Sequence, residues 1–212
     1  MLHKHTVQPF LLETLESLAQ LAVLNHFILV GGTALSLQIG NRKSIDIDLF
    51  TNKSWDIDEV EEILIKEKKF TTLNKSKGGL LGRIESIKVD LLSHHYEWIA
   101  PIKILEGIKM ASLQDIAAMK LNAISGNGTR LKDFVDVAFL GSYFSFSEMI
   151  NFYAKKYPNS NSIMVVKSLC YFEDIDFDIE IDYINTPLQW QQVVSRLIQM
   201  VQQPDIIFEK QF

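Results

Sequence analysis

The sequence has a single cysteine, no apolar run long enough to cross a membrane, and no excess of positive charge. Cys170 cannot form a disulfide within the chain, which fits a reducing compartment. Glu13 and Glu16 lie where a signal peptide needs an apolar stretch, so we expect a cytoplasmic protein. The formal net charge of −5 argues against a large non-specific nucleic-acid surface, although a local basic cleft remains compatible with it.

The composition is that of a globular protein with a real core. Of its 212 residues, 47% are hydrophobic and 22% are charged, which suits one domain, or one domain with a small appended lobe. The first half mixes strand-like and helix-like segments, whereas the second half is predominantly helix-like. We therefore predict an α/β (α+β) fold, with a mixed sheet flanked by helices over residues 1–111 and a helical C-terminal lobe over residues 112–212.

Residues 27–50 carry the main functional signal. A short apolar strand is followed at once by Gly31 and Gly32, and the hydroxyl of Thr33 is a suitable N-cap for a helix that ends at Gly40. Glycine lets the backbone approach a ligand closely, and the free N–H groups and dipole of a helix N-terminus attract phosphate. The stretch therefore predicts a phosphate-binding turn.

The strand predicted over residues 44–50 alternates strictly between polar and apolar side chains. Because successive side chains of a strand point to opposite faces, Asp46 and Asp48 share one face, with Cα atoms about 7 Å apart. Two carboxylates at close range repel each other unless one holds a proton or a cation lies between them. Mg²⁺ suits such oxygen ligands and usually brings phosphates with it.

A third carboxylate lies in an otherwise apolar segment, in residues 80–93, which we predict to be one strand. There Asp90 shares a face with Lys88 and needs a partner. The two alternatives are a metal ion, with Asp90 as third ligand, and an ion pair with a lysine or arginine. The aspartates upstream favour the metal.

The second half offers fewer chemical signals. A helix is predicted from Ser112 to about residue 125, with Lys120 beside its apolar face, and Thr129 is a suitable cap for the next helix. Lys132 and Asp136, four residues apart on that helix, are predicted to pair at the surface. The six acids of residues 173–182 lack the spacing of a calcium loop and predict a solvated acidic loop, with a basic patch on another chain as a conceivable partner.

Two blocks of sequence resemble a known family. G-G-T-A-L followed by R-x-S-x-D-x-D is similar to the nucleotidyltransferase superfamily signature, in the form that resembles the AbiEii/AbiGii-type toxin family of bacterial nucleotidyltransferases. The later block K-x-x-A … R-x-K-D-x-x-D also resembles that family, as do Tyr171–Asp174 and the helix around Trp190. The resemblance covers roughly residues 25–200.

The resemblance implies transfer of a nucleoside monophosphate from a nucleoside triphosphate, with pyrophosphate release and two Mg²⁺ ions as cofactor. The residues it implies for nucleotide binding are Gly31, Gly32, Thr33, Arg42 and Lys120. The implied metal ligands are Asp46, Asp48 and Asp90, the last also as base for the acceptor. The implied catalytic set is Asp46, Asp48, Asp90, Lys120 and Asp133, although the helix setting of Asp133 fits ion pairing equally well.

Three functions compete at this point. The first is the toxin of a bacterial toxin–antitoxin or phage-defence (abortive infection) system, with RNA such as tRNA as acceptor and a cognate antitoxin as partner. The second is the same chemistry on a small molecule such as an antibiotic, which the acidic net charge favours. The third is a binding protein with a vestigial site, and the complete set of three acids argues against it.

Overall fold

The structure, a computed structural model, describes residues 1–184 and 188–210. In these residues a single mixed sheet is formed by β1 (Ile28–Leu29), β2 (Asp46–Thr51), β3 (Phe70–Ser76), β4 (Gly79–Ile84), β5 (Ile87–Ser93), β6 (Lys103–Leu105) and β7 (Ile108–Met110). The spatial order of the strands is β3-β4-β5-β2-β1-β7-β6. The pairs β2–β5 and β1–β7 are parallel, and the other neighbours are antiparallel.

Helices accompany the sheet and then follow it along the chain. Those beside the sheet are α1 (Pro9–Ala19), α2 (Gly31–Ile39) and α3 (Ile57–Lys68). Those that follow it are α4 (Leu113–Gly126), α5 (Leu131–Leu140), α6 (Phe146–Lys156), α7 (Ser162–Leu169) and α8 (Trp190–Gln202). The predicted α+β fold, with a mixed sheet and helices, is confirmed. In the described part of the chain, no helix has both the length and the apolar character needed to cross a membrane.

The chain divides into two units, each with its own buried core. The first unit comprises Met1–Glu97 and Pro101–Ala111, and the second comprises Trp98–Ala100 and Ser112–Phe212. Fully buried side chains of the sheet, such as those of Leu29, Ile47, Val89 and Leu91, fill the first core. Fully buried side chains of α4, α5, α6 and α8, such as those of Leu121, Phe134, Met149 and Leu197, fill the second.

The helix after the glycine pair begins earlier than predicted. The structure starts α2 at Gly31, with Val30 as N-cap, whereas the hydroxyl of Thr33 was expected to cap a helix starting there. Gly31 has φ +69°, a value that glycine adopts without strain, and it turns the chain directly from β1 into the helix. The C-terminal end is as predicted, because Gly40 closes the helix with φ +73°.

The segment predicted as one strand over residues 80–93 forms two strands. A tight turn at Glu85, with φ +51°, separates β4 from β5 and pairs them as a hairpin. The turn residues, Glu85 and Ser86, are neither glycine nor proline, so the turn lacks the residues that most strongly mark one in a sequence. The hairpin has a functional consequence, since it places β5 between β4 and β2.

The structure bears on three further expectations for the second unit, the two helix caps and the acidic segment. Thr129 does not cap α5: Arg130 occupies the N-cap position, and the Thr129 hydroxyl donates to Asn127 Oδ1 at 2.9 Å. Ser112 caps α4 as predicted, accepting from the backbone N–H of Asp115. Residues 173–182 contain neither helix nor strand, and Asp176 forms an isolated backbone bridge with Arg130.

Candidate active site

Two neighbouring strands bring the three candidate carboxylates to one face of the sheet. β2 and β5 pair in parallel, with Asp46 opposite Lys88 and Asp48 opposite Asp90. Residues opposite each other in such a pair project to the same face. The alternating residues of both strands, including Ile47 and Val89, are fully buried on the other face. Burial of that apolar face therefore determines where the aspartates point.

The N-terminus of α2 lies directly beside Asp48. A Cβ added at Gly31 would come within 2.6 Å of Asp48 Oδ2, so only glycine leaves room for this carboxylate. The Val30 N–H donates to the Asp48 carbonyl oxygen at 2.9 Å and holds the turn against β2. Val30 makes no side-chain cap, and the first N–H groups of a helix have no partner within it. Backbone donors are thus available next to the carboxylates.

The side chains of Arg42 and Thr33 pack against this turn and against the start of β2. Arg42 is buried, and a Cβ added at Gly32 would come within 2.5 Å of its Nη2 atom. The Thr33 hydroxyl donates to the Asp46 carbonyl oxygen and lies 2.8 Å from the Ser44 hydroxyl. The Thr33 side chain therefore fastens α2 to the start of β2, which leaves the backbone N–H of Thr33 as the group that can face a ligand.

Lys88 is a site residue to which the sequence assigned no role. Its Nζ atom lies 2.6 Å from Asp90 Oδ2, so the ion pair considered as an alternative for Asp90 is formed. The pKa of Lys88 is raised, chiefly by the hydrogen bond to Asp90, and also by the charges of Asp90, Asp48 and Asp46. Its spacing of two residues from Asp90 in a strand was the available signal.

Asp90 retains one oxygen for another ligand. The residue is 7% exposed, and its Oδ1 atom has no hydrogen-bond partner within residues 1–184 and 188–210. A buried carboxylate oxygen without a donor is unfavourable unless a ligand satisfies it. Three carboxylates on one face, one with an unsatisfied oxygen, form a donor set that fits a hard divalent cation.

The side chains of Asp46, Asp48 and Asp90 do not converge on a common metal position. Over the described residues, no three His, Cys, Asp or Glu side chains come together closely enough to hold a metal ion. Asp90 is instead turned with Oδ2 toward Lys88. The strand register nevertheless places the three aspartates on one face of the sheet.

The second block of the resemblance forms a buried charge cluster in the second unit. Lys120 Nζ lies 2.6 Å from Asp133 Oδ1 and 2.7 Å from Asp136 Oδ2. Arg130 Nε adds a longer contact, 3.6 Å from Asp133 Oδ2. The predicted surface pair of Lys132 with Asp136 is wrong, because Asp136 is 0% exposed and pairs with Lys120.

A second buried ion pair in this unit was missed altogether. Asp115 and Lys156 are fully buried, with Lys156 Nζ 2.8 Å from Asp115 Oδ1. Asp115 also accepts from the Ser112 hydroxyl at 2.6 Å and from the backbone N–H of Ile99 at 3.1 Å. The Lys156 ammonium lies 4.6 Å from the centre of the Trp98 ring. This pair therefore anchors the segment Trp98–Ala100 in the second unit.

Comparison with known proteins agrees with these features. The family model for the AbiEii nucleotidyl transferase toxin of type IV toxin–antitoxin systems matches residues 13–205. The uncharacterized protein aq_aa25 of Aquifex aeolicus (strain VF5) is 34% identical over 187 residues, which cover 85% of this chain and 89% of that protein.

Solved structures share the fold. The crystal structure of JHP933 from Helicobacter pylori matches with a TM-score of 0.55 and 18% identity, over 91% of this chain and 88% of that one. A second H. pylori crystal structure matches with a TM-score of 0.56 and 18% identity, over 91% and 90% of the two chains. With a family model that spans nearly the whole sequence, the chain belongs to the AbiEii nucleotidyl transferase toxin family and is a nucleotidyltransferase.

Proposed function

We propose that the protein transfers a nucleoside monophosphate from a nucleoside triphosphate to an RNA acceptor, such as the 3′ end of a tRNA, in a Mg²⁺-dependent reaction. The observation that carries the proposal is Asp48 opposite Asp90, on the face shared with Asp46 and beside Gly31. Family membership supports the toxin role, and with it a cognate antitoxin as partner and the cytoplasm as the place of action.

In this proposal, residues 1–111 form the nucleotidyltransferase core and residues 112–212 the helical lobe. The triphosphate binds at the N-terminus of α2, where the backbone N–H groups of Gly31, Gly32 and Thr33 donate to phosphate oxygens. The guanidinium of Arg42, held against Gly32, adds positive charge at that end of the helix.

The carboxylate face supplies the chemistry. Asp46, Asp48 and Asp90 would hold the divalent cations, two by our expectation, which when bound neutralise the charge on the attacking and leaving oxygens. The acceptor hydroxyl oxygen forms a bond to the α-phosphorus, the α–β bridging P–O bond breaks, and pyrophosphate leaves. Asp90 Oδ1, which lacks a partner among the described side chains, accepts the proton of the acceptor hydroxyl.

Lys120 is proposed to steady the phosphates, with Asp133 as the residue that positions its ammonium. The contacts of Lys120 with Asp133 and Asp136 support a fixed orientation of the ammonium, since two carboxylates hold it within 2.7 Å. Fixed charges stabilise a transition state without having to reorganise during the reaction.

The test is direct labelling of RNA. The protein is incubated with Mg²⁺, total tRNA and each of the four nucleoside triphosphates labelled at the α-phosphate. We expect label in tRNA from the wild type and a loss of about a thousandfold or more from Asp46→Ala, because the transition-state charge loses a main source of neutralisation. Asp58→Ala, which removes an exposed acid of the same unit, should label normally. Absence of label from the wild type, or equal label from Asp46→Ala, would refute the proposal.

The second candidate is transfer to a small molecule such as an antibiotic. The net charge of −5 and the six acids of residues 173–182 favour it, because a small acceptor needs no basic channel. The same labelled nucleotides, offered with a panel of aminoglycosides in place of tRNA, distinguish the two. Label in the small molecule alone would establish this alternative.

A further inference from the structure

The carboxylate face carries more negative than positive charge. It holds three aspartates, Asp46, Asp48 and Asp90. Lys88 lies on the same face, opposite Asp46 in the strand register. The ammonium bonds one oxygen of Asp90, and the negative charges of Asp48 and Asp46 act on it and raise its pKa. Lys88 is thus surrounded by the groups that would otherwise hold a metal ion.

We propose that the Lys88 ammonium is the counter-ion of this face in the metal-free protein, and that an incoming divalent cation displaces it from Asp90. The inference rests on the proposed function, since it concerns the same carboxylates. It assigns Lys88 a positioning role: the lysine keeps Asp90 oriented while no metal is bound, and it sets the metal concentration at which the site fills.

Competition follows from charge and geometry. Asp90 Oδ2 is already bonded at 2.6 Å, so a metal that recruits this carboxylate must either take that oxygen or approach within a few ångströms of the ammonium. Two cations so close repel each other strongly in a partly buried site. The Lys88 side chain is 46% exposed and flexible, so it can withdraw into solvent, whereas Asp90 is fixed in a central strand.

The same contact explains why the three aspartates are not gathered around a metal position. The ammonium holds the Asp90 carboxylate in one orientation and leaves Oδ1 without a donor within the described residues. Once Lys88 withdraws, the rotation of Asp90 toward Asp48 meets no opposing attraction. Metal binding through Oδ2 and the Lys88–Asp90 pair therefore exclude each other, and a metal on Oδ1 alone is opposed by the nearby ammonium.

The test measures Mn²⁺ binding to the whole chain without nucleotide, by electron paramagnetic resonance of the free ion, in three variants. Lys88→Met removes the charge and keeps the length of the side chain, and Lys88→Arg keeps the charge. Lys75→Met is the matched control, since it removes a lysine that also bonds two carboxylates, Asp58 and Glu61, and changes the net charge equally.

We expect Lys88→Met to bind Mn²⁺ about tenfold more tightly than the wild type, because a nearby positive charge is gone. Lys88→Arg and Lys75→Met should stay within about twofold of the wild type. In EDTA, Lys88→Met should melt below the wild type, since the repulsion among the three carboxylates loses the counter-charge of Lys88, and saturating Mn²⁺ should remove that difference.

Mn²⁺ affinity of Lys88→Met equal to or weaker than that of the wild type would overturn the inference. If this occurs while the wild type binds Mn²⁺ and labels tRNA, the inference alone has failed. If neither the wild type nor Lys88→Met binds Mn²⁺, the inference and the metal dependence of the proposed function fail together. Label in tRNA without added metal would locate the failure in the metal dependence.

Discussion

The two units of the molecule differ in the burial and the charge partners of their acidic side chains. In the first unit, three aspartates share one face of the sheet with one half-exposed lysine. In the second unit, Asp115, Asp133 and Asp136 are almost completely buried, and each has a lysine within 2.8 Å. The first arrangement has three carboxylates beside one lysine, whereas the three buried acids of the second share two lysines and a longer contact with Arg130.

This difference distinguishes acids that are candidates for ligand binding from acids that stabilise the fold. A fully buried acid requires a matched cation, because an unpaired charge away from water is strongly unfavourable. Surplus charge persists only where water or a ligand cation can reach it, which makes such a place a functional-site candidate. Asp46 and Asp48 are half-buried, where water or a ligand cation can reach them, whereas Asp115 and Asp136 are fully buried beside lysines.

Neutralising one acid in each unit should give opposite phenotypes. Asp48→Asn should lower label transfer about a thousandfold or more and leave stability close to that of the wild type, because it removes charge neutralisation from a half-buried position that water can reach. Asp136→Asn should lower the free energy of unfolding by about 1.5–3 kcal/mol, because Lys120 loses one charged hydrogen-bond partner and keeps Asp133. Urea unfolding and tRNA labelling measure the two effects. Destabilisation by Asp48→Asn would break the comparison.

Substitution of the two buried lysines of the second unit tests whether its two ion-pair clusters differ in their importance for activity. Lys120→Met and Lys156→Met should each lower the free energy of unfolding by about 3–5 kcal/mol, since each leaves buried carboxylate unpaired. At a temperature where both variants are folded, only Lys120→Met should lose label transfer. Circular dichroism verifies folding before each assay. Equal activity of the two variants would assign Lys120 to architecture alone.

The two ends of α2 offer a matched pair of glycines. Gly31 and Gly40 both have positive φ, so alanine at either should lower the free energy of unfolding by about 1–3 kcal/mol. At Gly31 the new Cβ displaces the Asp48 carboxylate, whereas at Gly40 it meets His3 Nδ1 at 2.7 Å. Gly31→Ala should therefore also lose transfer, and Gly40→Ala should keep it. Loss of activity in both variants, measured while they are folded, would contradict the placement of the site.

Removing both members of a buried pair should cost less than removing one. In the double variant Asp115→Asn/Lys156→Met no buried charge is left unpaired, so the free energy of unfolding should lie within about 1–2 kcal/mol of the wild type. A double-mutant cycle in urea gives the coupling free energy. A double variant as unstable as the sum of the singles would mean that the pair does not interact.

The sequence was most informative where one strand or one turn determines the outcome. Strict alternation in β2 was enough to place Asp46 and Asp48 together, and a glycine ended α2 where expected. The face of Asp90 relative to them was a matter of register between strands, which the Asp48–Asp90 pairing now supplies. The hairpin at Glu85 escaped prediction because its turn lacks glycine and proline.

Pairings between distant residues were the least predictable. Lys156 follows Asp115 by 41 positions, and Lys120 precedes Asp136 by 16, so no local pattern connects them. Helical spacing predicts Lys132 as the partner of Asp136, because side chains four residues apart on a helix are neighbours. Asp136 lies instead on a buried face of α5, where Lys120 from α4 pairs with it.

The residue pattern by itself determined the fold class, the family and the two acids of β2, because these depend on local periodicity and short motifs. Tertiary structure decided which side of the sheet receives Asp90, that Lys88 stands among the aspartates, and which lysines balance the buried acids. These contacts depend on strand register and helix packing, which bring together residues far apart along the chain. Local sequence patterns report only on neighbouring positions and therefore do not predict them.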